Sequence, residues 1–206
     1  MVITQTVSSK TIETLIFRRI RVLGRGSVFS ARDFADLGTR STVDWVLQRL
    51  MAKGEIRRLS RGIYDYPQTS AIVGLVPPDP YQVARAITNR DGSRLQPSGA
   101  YAANLLGLSD QIPARSEFLT ESDERLVQIG NQEIILRKTT PRIMRMAGKT
   151  SGLITQAFRF IGKDFITPEI IARLRQQLSE KEKETLRKDI ALPPAWIADY
   201  FRQIIA

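Results

Sequence analysis

The chain has 206 residues, with 31 Lys+Arg against 21 Asp+Glu for a net charge of +10, and neither cysteine nor histidine. That length permits one large domain or two small ones with a real core. The missing residue types exclude disulfides, thiolate metal sites and the side chain most used as a zinc ligand and as an acid–base catalyst near neutral pH.

Ser8 or Ser9 caps a first predicted helix that runs to about Leu23, with Ile12, Leu15, Ile16, Ile20 and Leu23 as its apolar stripe. Arg18, Arg21 and Arg25 fall on a different face. Gly24-Arg25-Gly26 ends the helix, and Val28-Phe29 has room for one step of strand. Ser30 with Asp33 three residues on is a capping-box-like start to a short helix bearing Phe34 and Leu37. Thr39 or Ser41 caps a third helix through about Lys53, with Asp44 near its positive end and Val43, Val46, Leu47 and Leu50 as the buried stripe. Gly54 stops it. Glu55–Leu59 and Ile63–Tyr66 then alternate as two antiparallel strands around a turn containing Gly62. Helix, short strand, helix, helix, strand, wing, strand is the order of a winged helix-turn-helix.

Residues 68–80 hold most of a proline-rich, weakly charged stretch and read as a linker. Beyond it, Tyr81–Thr88 predicts a helix, residues 89–93 a turn, and Gly99–Leu106 a small-residue helix closed by Gly107. Ser116–Thr120, Arg125–Ile129 and Glu133–Arg137 are strand-like, the last two joined by a Gly130-Asn131 hairpin. Helices follow at Thr150–Ile161, after Thr167-Pro168, after Ser179 and after Pro193-Pro194. The expected fold class is therefore α+β: a winged helix-turn-helix over residues 1–67, a linker, and a mixed α+β domain over 81–206 with a helical C-terminal end.

Charge points to a partner. Residues 1–67 carry 12 basic and 6 acidic side chains, so the first third holds more than half of the excess positive charge. A polyanion suits such a surface because binding it releases condensed counterions. Solubility explains a basic chain equally well, so charge alone decides little. The third helix sharpens the expectation, since its buried stripe leaves Arg40, Ser41, Thr42, Asp44, Trp45, Gln48 and Arg49 available. Arg and Gln carry forks that match guanine and adenine edges, and Ser and Thr reach phosphates or bases. Arg61 at the wing tip faces the backbone or minor groove, with Arg57 and Arg58 behind it.

Other motifs weigh less. Ala147-Gly148-Lys149-Thr150 resembles the end of a phosphate-binding loop, but the glycine required five residues before Gly148 is Ile143. Residues 179–188 read as a solvated helix with Glu184–Lys188 support. Trp196, Tyr200 and Phe201 fall at helical spacing and suit a core better than a docking face. With no paired acidic motif and no Ser elbow, the expectation is no enzyme, no catalytic residue, no metal and no cofactor. The expected location is cytoplasmic with no membrane partner, because no apolar run spans a bilayer and MVITQTVSSK lacks the layout of a leader.

The stretch FSARDFADLGTRSTVDWVLQRLMAKGEIRRLSRGIYDYP (29–67) resembles the N-terminal winged helix of AbiEi-type antitoxins, the transcriptional regulators of abortive-infection toxin–antitoxin systems. The resemblance rests on Phe29-Ser30, Asp33-Phe34, Gly38, Val43, Leu47, Arg49-Leu50, Gly54, Ile56, Arg58, Arg61-Gly62, Tyr64 and Pro67. SGAYAANLLGLSDQIP (98–113) is similar to part of the same family's second domain. It implies a repressor that binds double-stranded DNA at its own promoter and opposes a nucleotidyltransferase-like toxin. It also implies DNA contacts from Arg40, Ser41, Thr42, Gln48, Arg49 and Arg61, while Trp45 stands where that family usually has smaller or polar residues. The alternative is a winged-helix interaction module that neutralises a partner protein by direct binding. The sequence specifies neither the operator nor the oligomeric state.

Overall fold

A computed structural model describes residues 9–72, 74–110 and 115–206. The chain is mixed α+β and divides into two compact units, the first ending at Asp91 and the second beginning at Gly92.

The first unit begins with α1 (Ser9–Leu23), β1 (Val28–Ser30), a 3-10 turn (Ala31–Phe34) and α2 (Arg40–Ala52). The hairpin β2 (Arg57–Ser60) and β3 (Ile63–Asp65) follows, then the two-residue strands β4 (Thr69–Ser70) and β5 (Gly74–Leu75), and finally α3 (Pro80–Asp91). β3 lies centrally in an antiparallel sheet of order β1-β3-β2, with Tyr64 opposite Phe29 on one side and Arg58 on the other. Ile12, Ile16, Ile20, Phe29, Phe34, Val46 and Leu47 form the centre of its core. Phe29 and Phe34 meet edge to face at 5.6 Å, and each such ring removed from water is worth roughly 2–3 kcal/mol.

Several expectations need correction here. The predicted cap at Ser8 lies outside the described residues. On α1 the stripe is narrower than five residues, for Leu15 is 39% and Leu23 53% exposed. Adjacent helical residues point about 100° apart, so burying Ile16 turns Leu15 to the rim, and Leu23 is the last residue of its helix. The linker expected over residues 68–80 contains the β4–β5 hairpin, with Thr69 opposite Leu75. The turn expected at 89–93 is helical through Asp91. That helix, α3, packs on β1, β3 and the 3-10 turn, so the first unit continues well past residue 67. Arg32 fastens it by donating from Nη1 to the carbonyls of Asn89 (2.9 Å) and Arg90 (3.3 Å).

The second unit contains β6 (Leu95–Pro97), α4 (Gly99–Leu105), β7 (Arg115–Thr120), β8 (Arg125–Ile129) and β9 (Gln132–Lys138). Then come α5 (Pro141–Met144), α6 (Thr150–Ile161), a 3-10 turn (Lys163–Phe165), α7 (Pro168–Gln177), α8 (Glu180–Lys188) and α9 (Ala195–Ile205). Its sheet has the order β6-β7-β9-β8, and the central pair β7–β9 is parallel. Pro97 is tolerated because β6 is an edge strand, where a missing N–H costs no ladder bond. Ile154, Phe158, Leu174, Leu186, Ile197 and Phe201 bury the contacts among α6, α7, α8 and α9. Trp196 and Tyr200 are partly buried against this cluster.

Candidate nucleic-acid interface

α2 is placed by its ends and by its buried stripe. Thr39 is extended (φ −65°, ψ 157°), and its hydroxyl accepts from the Thr42 amide at 3.3 Å. Gly54, at φ +72°, takes the left-handed conformation that ends the helix without a Cβ clash. Val43, Val46, Leu47 and Leu50 face the core. The outer face is then Ser41, Trp45, Gln48 and Arg49, all exposed and within i, i+3 or i+4 of one another. At 1.5 Å per residue this 13-residue helix is about 20 Å long, a rod that fits a major groove about 12 Å wide.

The six residues expected to touch nucleic acid do not form one set. Gln48 and Arg61 come together, lining with Asp44, Met51, Arg58 and Tyr64 a groove of about 620 Å³ between α2 and the β2–β3 hairpin. Arg40 donates from Nε to Asp44 at 2.7 Å, so its charge is partly neutralised at the rim of that groove. Ser41 and Thr42 belong to the cap, their hydroxyls lying 3.1 and 2.8 Å from that of Thr39. Arg49 turns the other way. Its Nε is 3.2 Å from Glu13 of α1, and its guanidinium lies 5.3 Å from the centre of the Trp45 ring. Glu13 also accepts from the Lys53 ammonium, and these two cations hold its carboxyl below the ordinary value, against the opposing effect of desolvation.

The hairpin beyond α2 is braced on both sides. Arg57 pairs with the buried carboxylate of Asp65 across the ladder, Nε to Oδ1 at 3.1 Å. Gly62, at φ +74°, makes the tight turn that leaves Arg61 exposed at the tip. The Arg61 carbonyl accepts from Nη1 of Arg90 at 2.7 Å. Sequence reasoning missed Arg90, and nothing local marks it, because the contact joins residues 29 apart. The Glu13–Arg49–Trp45 arrangement was half legible, since Trp45 and Arg49 stand at i, i+4 on one helix.

Of Arg18, Arg21 and Arg25, the last lies just beyond α1 and is occupied: it stacks 4.6 Å over Tyr66 and donates to the Pro67 carbonyl at 2.8 Å. Arg18 and Arg21 are exposed and border a second groove of about 690 Å³ with Phe17, Leu50 and Lys53. In the second unit, the loop-like motif at Gly148-Lys149 is internally satisfied. The Gly148 amide donates to Gln96 at 3.3 Å, and the Lys149 ammonium donates to both oxygens of Asp189 at 3.1 Å. Among the described residues there is no group of three or more carboxylates placed to hold a metal ion, and no helix long and apolar enough to cross a membrane.

A protein-family profile described as a family of unknown function, DUF6088, matches residues 15–186. No curated protein matches the chain. Among solved structures it is similar to the crystal structure of the RV2827C protein from Mycobacterium tuberculosis, with a TM-score of 0.41 and 16% sequence identity. The match covers 93% of this chain and 76% of that one.

Proposed function

The chain belongs to DUF6088, a family whose description assigns no activity, and we propose that it is a sequence-specific DNA-binding repressor. Its first unit acts as a winged helix-turn-helix: α2 is the recognition helix, and the β2–β3 hairpin is the wing. The observation that carries this reading is the groove in which Gln48, Arg58 and Arg61 face one another. An amide that can read adenine there stands beside cations that can take phosphates.

Two further features support it. The excess positive charge is concentrated in this unit. The hairpin tip is anchored through its backbone, which leaves the Arg61 side chain free to reach a phosphate. The proposed cellular role is that of an antitoxin in a toxin–antitoxin pair, repressing its own promoter and opposing a nucleotidyltransferase-like toxin. This extension follows the resemblance of residues 29–67 and 98–113 to AbiEi-type antitoxins.

A second reading, direct neutralisation of a partner protein, is favoured by Phe160 and Phe165, which are 48% and 71% exposed in the second unit. The deciding experiment measures binding of the full chain to its own upstream DNA and to random duplex across a salt series. A repressor prefers the upstream DNA, with affinity falling steeply as salt rises. Equal affinity for both duplexes sinks the repressor reading. A salt-insensitive complex with the neighbouring gene product would favour the second.

A further inference from the structure

Trp45 occupies the middle of the outer face of α2, and the core does not account for it. Val43, Val46, Leu47 and Leu50 already fill the buried side of that helix, and the indole is 46% exposed. A single exposed aromatic is common and needs no function. This one is held. The Arg49 guanidinium lies 5.3 Å from its ring centre, and Arg49 is itself paired with Glu13, whose side chain is only 13% exposed. Nearer the start of the helix, the charge of Arg40 is met by Asp44. The centre of the face therefore presents a flat apolar plate with one N–H donor, beside the Gln48 amide, rather than a bare cation.

Given the DNA-binding reading above, on which this rests, we infer that Trp45 is a specificity residue that reads thymine in the major groove. The C5-methyl of thymine is the apolar group exposed on that groove's floor, and a flat side chain gains by covering it. Gln48 stands three residues on, one neighbour along the same helical face, with the paired donor and acceptor that match adenine N7 and N6. The preferred site then places thymine within a base step or so of an adenine. Arg49 acts through Trp45 as a positioning residue, stacked on the ring and tied back to Glu13.

The test selects duplexes from a random pool with the full chain, then rebuilds the selected duplex with deoxyuridine replacing one thymidine at a time. Each replacement removes a methyl group and nothing else. The wild type should lose about fourfold in affinity at one or two thymidines, the value of one buried methyl. Trp45→Ala should bind the thymidine and deoxyuridine duplexes equally at those positions, and Trp45→Phe should retain part of the discrimination. A wild-type profile that is flat at every thymidine overturns the inference, and so does a Trp45→Ala protein that keeps the wild-type loss. A flat profile on an enriched sequence leaves the DNA-binding reading standing. Failure of the full chain to enrich any sequence removes both.

Discussion

Arg90, near the C-terminal end of α3, donates from Nη1 to the Arg61 carbonyl at 2.7 Å and so holds the tip of the proposed wing by its backbone. The Arg61 side chain takes no part in this contact. Replacing Arg90 should therefore loosen the tip while leaving the Arg61 cation in place. A hydrogen bond from a charged donor is worth roughly 1.5–3 kcal/mol when buried, and Arg90 is partly exposed, so the cost to global stability should be about 1 kcal/mol or less. Arg90→Ala should speed amide exchange at Ile63 by up to about fivefold, and weaken DNA binding through the same disorder. Exchange at Ile63 matching the wild type would show that the brace contributes nothing.

Arg61 and Gln48 share one groove but belong to different kinds of contact. On the proposed DNA-binding reading, a cation at the wing tip acts on phosphates, whereas the amide on α2 acts on base edges. Arg61→Ala should weaken binding evenly across sequences and reduce the magnitude of the salt slope by about 1. Gln48→Ala should flatten preference at one base position, by roughly 1–3 kcal/mol of discrimination, with a smaller effect on random duplex. Equilibrium titrations on matched and scrambled duplexes at several salt concentrations separate the two. Identical effects from both substitutions would mean that the groove is not divided in this way.

The elements themselves were legible because caps and stripes are local. Thr39, Gly54, Pro168 and Ser179 mark helix ends in the sequence and do so in the structure. α6 spans the expected residues, Thr150–Ile161. What escaped was long-range. Nothing in PYQVARAITNRD says that its buried side meets β1 and β3, and the edge strand that carries Pro97 has no marker of its own in the sequence. The same limit applied to the site. Arg40 and Arg49 look like free cations in sequence, yet Asp44 and Glu13 take up their charge. Gln48 and Arg61, chosen on the same grounds, do share a groove, because a helix and a hairpin brought them together.

Glu13 should make the first unit acid-sensitive. Hydrogen bonding from Lys53, with Arg49 beside it, lowers its folded-state pKa below the ordinary 4.5 despite desolvation. A depressed carboxylate contributes stability that is fully present above the unfolded value and is lost as pH falls through the folded one. Glu13→Gln should therefore be less stable than wild type at neutral pH. The two proteins should converge once the pH drops below 4.5 and passes the lowered value. Urea midpoints measured from pH 7 downward give the comparison, and a gap that stays constant into acid would exclude Glu13 as its source.

Asp189 and Lys149 in the second unit should respond unequally to mutation. Asp189 is buried, 6% exposed as a residue, and its carboxylate accepts from Lys149 at 3.1 Å and from Ser151 at 2.6 Å. Lys149 keeps 42% of its side chain in solvent, so its ammonium can return to water if Asp189 is lost. Removing the lysine instead strands a buried charge with one hydroxyl donor beside it, the costlier error. Lys149→Ala should destabilise by about 2 kcal/mol, and Asp189→Asn by about 1 kcal/mol, with the amide keeping one acceptor for Ser151. The same geometry predicts that ATP and GTP leave the melting temperature unchanged, since Asp189 already occupies the cation a phosphate would need. A nucleotide-dependent rise in Tm would show that this pair opens and that the Gly148-Lys149 stretch can take a phosphate after all.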